Sequence, residues 1–152
     1  MAERVVTLDL GVEWEPNAPE AVFLSDDSGR AFLALSPHPN DSDLRMVVIV
    51  WTGARAALMQ PPNDEALSGH PLYDKGLAEV RWSGEVLDSA WIERLERQNR
   101  VHPHHDPARF STLRHFILPL KEDTVEVVAR EITVRRIDAS TSSDALSRII
   151  GE

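Results

Sequence analysis

The stretch MVVIVW, residues 46–51, decides the fold of this 152-residue chain. Its apolar residues follow one another without a break, and most of them are β-branched. A short run of this kind is typical of a strand that is covered on both faces. It is also far too short to cross a bilayer as a helix. We therefore predict a central β-strand at this position.

Shorter apolar runs separated by turn residues lie on both sides of the central strand. Gly53 predicts a turn, after which residues 54–59 are expected to return antiparallel. Upstream, Ser25-Asp26-Asp27-Ser28-Gly29 suits a hairpin loop. The apolar segments on either side of that loop, and an alternating run near the N-terminus, predict further strands at residues 6–14, 21–24 and 31–35.

Downstream, residues 113–120 alternate in polarity and predict a strand with two distinct faces. Residues 121–123 suit a turn, so that residues 124–129 pair back through Val125 and Val127. Residues 132–137 extend or follow that strand, and residues 77–82 are expected to add one more short strand. The alternation assigns Phe116, Leu118 and Leu120 to one face, and Leu113, His115 and Ile117 to the other.

One internal helix is predicted at about residues 89–102. Asp88 or Ser89 has the side chain of an N-cap, and Pro103 ends the helix. An apolar stripe at helical spacing is expected to pack on the sheet. This stripe consists of Trp91, Ile92 and Leu95.

These elements predict an α+β fold, a predominantly antiparallel β-sheet or sandwich of about seven or eight strands packed with the internal helix. The length favours a single domain over residues 1–152. The C-terminal segment, residues 138–152, is expected to form a loosely docked helix or to fray.

Composition excludes several classes of function. The chain has no Cys, which rules out disulfides, thiolate metal sites and a cysteine nucleophile. Its net charge of -9 and pI near 5.1 disfavour nucleic acid as a partner. No apolar segment suits a signal peptide or a membrane span, so we expect a cytoplasmic protein without membrane association.

Histidine is concentrated in QNRVHPHHDPARFSTLRHFI, residues 98–117, which holds four of the six histidines. In an extended loop, His102 and His104 point to one side and His105 to the other. Two such imidazoles could bind one divalent metal, with Asp106 supplying a carboxylate and His70 a third nitrogen. The other interpretation is a surface loop whose histidines cap turns.

His70 belongs to a long loop, residues 60–76, that is rich in Pro, Gly and Asn. Loops of that length are usually either functional or disordered. His70 stands between Gly69 and Pro71, so the loop could hold its ring in one pose. The alternative is a turn in which His70 only caps backbone groups. The candidate binding residues are His70, Asn99, His102, His104, His105 and His115.

No catalytic motif accompanies these residues. GxSxG, P-loop, GxGxxG and HExxH patterns are absent from the sequence. Carboxylates are spread along the chain without a spacing that singles out a catalytic pair. They include Glu85, Asp88, Glu126 and Glu131.

Three segments together resemble an uncharacterised bacterial protein family. They read PNDEALSGHPLYDKGL at residues 62–77, EVLDSAWIERLERQNRVHPHHDP at 85–107, and LRHFILPLKEDTVEVVA at 113–129. The resemblance covers over a third of the chain and implies a shared fold and a shared site, without any activity. That family often carries His-Asp where this chain has Glu122-Asp123, which weakens a metal site that depends on this turn.

Two functions from different classes fit these observations. The first is a binding or protein-interaction domain, for a small molecule or a protein partner, with the long loop and the histidine loop as one recognition surface. The second is a small metal-dependent or histidine-based enzyme that uses the same loops. An enzyme requires His70 and residues 102–105 to share a concave pocket, and we predict that His70, Asn99 and His102 line one depression. Neither function specifies an oligomeric state.

Overall fold

A computed structural model describes residues 2–152, which form nine strands and three α-helices. The strands are β1 (Arg4–Thr7), β2 (Val22–Ser25), β3 (Arg30–Leu35), β4 (Met46–Thr52), β5 (Ala56–Gln60), β6 (Gly84–Leu87), β7 (Arg114–Pro119), β8 (Thr124–Ala129) and β9 (Glu131–Ile137). The helices are α1 (Ala90–Asn99), α2 (Ala108–Ser111) and α3 (Ser142–Ile150).

The strands form two antiparallel sheets, which confirms the predicted α+β class. One sheet has five strands in the order β1-β6-β7-β8-β5, and the other has four in the order β2-β3-β4-β9. β4 is an interior strand between β3 and β9, and its residues Met46–Ile49 and Trp51 are buried. The unbroken apolar run therefore predicted both the position and the burial of this strand.

The main core lies between the two sheets. Alternate residues of β3 and β4 meet alternate residues of β7 and β8 there, as expected when two sheets face one another. The largest buried side chain in this layer is Trp51. The predicted shared face of β7 is confirmed, because Phe116, Leu118 and the following Leu120 all lie in this core.

Each sheet also has an outer face, and the two are covered differently. On the four-stranded sheet, α3 packs through Ala145, Leu146 and Ile149 against Phe32 and Val48. Thr141 caps this helix by accepting a hydrogen bond from the Asp144 N–H at 3.0 Å. The result is a continuous apolar layer.

On the five-stranded sheet, the cover is the long loop, which in the structure extends to Val80. It contains three short 3₁₀ helices, Asp64–Gly69, Tyr73–Lys75 and Leu77–Glu79. Its side chains Leu72, Leu77 and Val80 pack on Val86 and Ile117. The loop passes so close to β1 that a Cβ on Gly76 would lie 2.2 Å from the Val5 carbonyl oxygen, at a φ of +118°. Only glycine fits that approach.

Several sequence expectations differ from the structure. The N-terminal strand ends at Thr7, well before Trp14, and the chain turns at Gly11 with a φ of 70°. Residues 77–82 form a 3₁₀ helix and a bend, and the strand follows at Gly84. Strand β5 joins β8 in the opposite sheet instead of returning along β4.

The internal helix α1 is shorter than predicted and lies less deeply. It spans Ala90–Asn99, and Trp91, Ile92 and Leu95 are only half-buried. The helix crosses the margin of the outer face, where the long loop already fills the central part. None of the helices described over residues 2–152 has the length and apolar character needed to cross a bilayer.

Candidate functional site

Strand alternation brings two ionisable side chains to the outer face of the five-stranded sheet. In β7, Phe116 points into the inter-sheet core, so His115 points outward. In β8, Val125 and Val127 point inward, so Glu126 points outward. The register pairs Glu126 with Ile117, which places His115 diagonally across from the carboxylate.

A hydrogen-bonded chain connects these two residues with the long loop and with α1. His115 Nε2 lies 2.8 Å from Glu126 Oε1, and His70 Nε2 lies 3.0 Å from Glu126 Oε2. On the other side of its ring, His115 Nδ1 lies 2.8 Å from Ser89 Oγ. The three ionisable side chains are nearly buried, with exposures of 8% for His70, 3% for His115 and 9% for Glu126.

The partners determine where the protons lie. The Leu72 N–H donates to His70 Nδ1 at 3.0 Å, so this nitrogen carries no proton and Nε2–H donates to Glu126. The Ser89 hydroxyl oxygen accepts the Ile92 N–H at 3.2 Å. Its other partner is His115 Nδ1, and His115 Nε2–H donates to the carboxylate. Both imidazole rings thus donate to Glu126.

The Glu126 carboxylate is strongly held in its ionised form. Burial alone raises the pKa of this group, because an apolar environment disfavours the charge. The hydrogen bonds from His115 and His70, together with the electrostatic attraction of these two rings, outweigh burial, and the pKa of Glu126 falls from its ordinary value of 4.5 to about 2. A carboxylate with two imidazole donors is thus charged throughout the neutral range.

The chain forms the floor of an open groove of about 920 Å³. One wall comes from the long loop and the other from the first turns of α1. Leu58 and Gln60 of β5 extend the floor, and Trp91 stands beside His115 with its ring edge-on, the centroids being 5.2 Å apart. Charged residues at the rim are Glu3, Arg94 and Glu122.

Ser89 occupies the opposite end of the hydrogen-bonded chain from the groove. It is the N-cap of α1, and the turn before it is tight, with Asp88 in the left-handed region at a φ of 53°. The hydrogen-bonded side chains of Ser89, His115 and Glu126 follow the order of hydroxyl, imidazole and carboxylate found in serine hydrolases. Ser89 lines a separate depression of about 380 Å³, beside Glu85 and Ile92.

The histidine loop, residues 102–106, lies away from the groove. Asn99, His102, His104 and Asp106 line a small depression of about 230 Å³ at the C-terminal end of α1. His70 faces the N-terminal end of the same helix, and a ten-residue helix separates its ends by about 15 Å. His70, Asn99 and His102 therefore do not share one depression.

Local contacts account for the geometry of the histidine loop. His102 Nδ1 accepts the His104 N–H at 3.0 Å, and Asp106 accepts the Ala108 N–H at 3.0 Å. The Asn99 side-chain amide donates to His105 Nδ1 at 2.8 Å. These are turn and capping contacts, the interpretation that had been the alternative to a metal site.

The proposed metal ligands are not assembled. Within residues 2–152, no group of three or more His, Asp or Glu side chains is arranged to hold a metal ion. The set of His70, His102, His104 and Asp106 fails because His70 belongs to the groove and the other three to the small depression. Of the predicted candidates, the structure brings His70 and His115 together in the groove, whereas Asn99, His102, His104 and His105 lie together at the other end of α1.

Another depression, of about 710 Å³, lies between residues 7–13 and residues 79–83. Its acidic side chains include Asp41, which forms an ion pair with Arg136. Its aromatic wall is Trp82, which contacts the half-buried His38 at a centroid distance of 6.1 Å. It contains no buried ionisable chain comparable with the floor of the groove.

Comparisons with protein-family models, with curated proteins and with solved structures found no match to this chain.

Proposed function

We propose that this protein is a non-enzymatic binding domain whose ligand site is the groove over the His70–Glu126–His115 chain. The observation that carries the proposal is the pairing of all four imidazole nitrogens within the protein. The partners are the Leu72 N–H, the Ser89 hydroxyl and the two Glu126 oxygens. A general base needs a nitrogen that can reach a substrate proton, whereas a preorganised binding floor needs fixed rings.

The groove also has the size and composition of a ligand site. Small-molecule sites typically occupy about 300–1,000 Å³ and combine apolar walls with a few fixed polar groups. Here Leu58, Pro61 and Trp91 supply the apolar surface, and the buried hydrogen-bonded chain supplies the polar groups.

A fragment screen followed by two-dimensional ¹H–¹⁵N NMR tests this proposal. We expect the fragments that bind to shift the Trp91 indole signal and the Leu72 amide signal together. Gly69 lines the groove, and a Cβ there would meet no atom within 4 Å, so Gly69→Trp can block the site without displacing the backbone. The neighbouring exposed residue supplies the matched control, Ser68→Trp. Fragment binding that persists in Gly69→Trp, or that centres on residues 99–110, would contradict the proposal.

The second candidate is a histidine-based hydrolase, which the Ser89–His115–Glu126 chain favours. In such an enzyme His115 would accept the Ser89 proton as the hydroxyl attacks a carbonyl carbon. A fluorophosphonate probe would then label wild-type protein and fail to label Ser89→Ala. The binding-domain proposal predicts no labelling of either protein, because Ser89 is buried and serves α1 as its N-cap.

A further inference from the structure

We propose that the groove binds a small organic amine, whose primary ammonium donates to the Glu126 carboxylate while its apolar stem lies against Trp91. This inference rests on the proposed binding function and adds to it the chemical class of the ligand.

The first argument is the unused hydrogen-bonding capacity of the floor. A carboxylate has about four lone-pair positions on its two oxygens. His115 and His70 occupy one position on each oxygen, so one remains on each. A ligand that enters the groove therefore meets an acceptor, and a hydrogen-bond donor is the complementary group.

The charges that line the groove also favour an amine. The floor carries the negative charge of Glu126, whose pKa is lowered to about 2. At the rim, Glu122 adds negative charge and Arg94 adds positive charge. Glu3 contributes less, because Lys75 Nζ lies 3.5 Å from its carboxylate. The field in the groove is therefore negative, and it favours a cation.

The third argument is shape. Only 9% of the Glu126 side chain is exposed, so a ligand meets only a small part of the carboxylate. An ammonium group is a compact donor on a slim stem, whereas a guanidinium is a wide planar fork. The Trp91 ring lines the groove and supplies apolar surface for the stem.

The probes are three matched compounds and one free diamine. N-acetyl-lysine N-methylamide carries the ammonium, N-acetyl-norleucine N-methylamide lacks it, and N-acetyl-glutamate N-methylamide carries a carboxylate. In NMR titrations followed at the Trp91 indole, we expect the lysine compound to bind at least about tenfold more tightly than the norleucine compound. Added salt should reduce that ratio.

The diamine 1,5-diaminopentane separates a free amine from a lysine side chain within a polypeptide. Tighter binding of the diamine than of the lysine compound supports a small-molecule ligand. The opposite order would overturn that choice and indicate a peptide lysine instead.

Two arginines of α1 provide the mutational test. Arg94 lines the groove, whereas Arg97 is exposed on the same helix and does not line it. We expect Arg94→Gln to tighten amine binding several-fold, because it removes a competing cation, and Arg97→Gln to leave it unchanged. Both substitutions affect exposed positions, so neither depends on a change in the core.

The outcomes separate this inference from the proposed function. If the norleucine or glutamate compound binds at the Trp91 indole as tightly as the lysine compound, the groove remains a ligand site and the amine inference is wrong. Equal amine binding by the Arg94→Gln and Arg97→Gln proteins also contradicts the inference. If the fragments of the general screen avoid the groove altogether, the proposed function is wrong and the amine inference falls with it.

Discussion

The outer faces of the two sheets are built from similar strands but are covered in different ways. α3 closes the four-stranded sheet with aliphatic side chains, of which Leu146 and Ile149 are the largest. The five-stranded sheet is only partly covered by the long loop and α1, and it carries Glu126 and His115 where the first sheet has apolar residues. The outer face of the four-stranded sheet, the closed face, contributes stability through apolar packing. The outer face of the five-stranded sheet, the open face, is less stable because it holds a preorganised polar floor.

The largest effect is expected on the closed face. Val48 is fully buried against α3, so Val48→Asp would place an unpaired charge in an apolar layer. We expect a loss of about 4 kcal/mol or more in the free energy of unfolding, measured by urea denaturation. Val50→Asp, at a half-buried position of the same strand and face, is the control and should cost less. Equal losses would mean that α3 does not seal this face.

On the open face, Glu126→Ala is expected to cost about 3 kcal/mol, because it leaves the Nε2–H donors of His70 and His115 buried without an acceptor. The control is Glu122→Ala, at an exposed position on the rim of the same groove, with an expected loss below about 0.5 kcal/mol. Denaturation curves for both variants measure the difference. A loss near zero for Glu126→Ala would show that the floor is not preorganised.

Because of the Glu126 carboxylate, we expect the contribution of the open face to the unfolding free energy to depend on pH, unlike that of the closed face. The pKa of Glu126 is lowered from 4.5 to about 2, so its stabilisation is fully present above pH 4.5. It is lost as the pH falls from 4.5 towards 2, where folded and unfolded forms both become protonated. The difference in unfolding free energy between wild type and Glu126→Gln should therefore shrink over that range. A difference that is constant from pH 6 to pH 3 would contradict the assigned ionisation.

The smallest of these effects is expected at Trp91. Although Trp91→Ala removes more atoms than Leu146→Ala, Trp91 is half-buried and Leu146 is buried against the sheet. We expect about 1 kcal/mol for Trp91→Ala, chiefly from its edge-on contact with His115, and about 2–3 kcal/mol for Leu146→Ala. Thermal or urea unfolding of the two variants gives the order. The reverse order would show that α1 is a core element, as the sequence had indicated.

Local patterns predicted much of the sheet structure. The unbroken run in β4 and the alternation in β7 depend on neighbouring residues only, and both were confirmed. The destination of β5 was not predictable in this way, because a strand that leaves Gly53 can pair with either sheet. The depth of α1 depends on how much of the sheet the long loop already covers, and a helical stripe carries no information about that.

The candidate site was predictable in part. His70 and His115 were named from residue type and loop context, whereas Glu126 was only one acid among several. A usable signal did exist: Val125 and Val127 face the core, so Glu126 faces outward, and the predicted turn at 121–123 brings it beside His115. The separation of His70 from His102 could not be inferred, since it depends on which end of α1 meets the long loop.

The groove draws its lining from segments that are far apart in the sequence, from Glu3 through residues 58–72 and 90–94 to His115 and Glu126. A partly unfolded chain cannot reproduce that arrangement, so a ligand of the groove binds the native state alone. By linkage, such a ligand at one hundred times its Kd adds about 2.7 kcal/mol to the unfolding free energy of the entire domain. If the proposed site is correct, a rise of several degrees in the melting temperature would therefore report the binding of a test compound without its identity being known in advance.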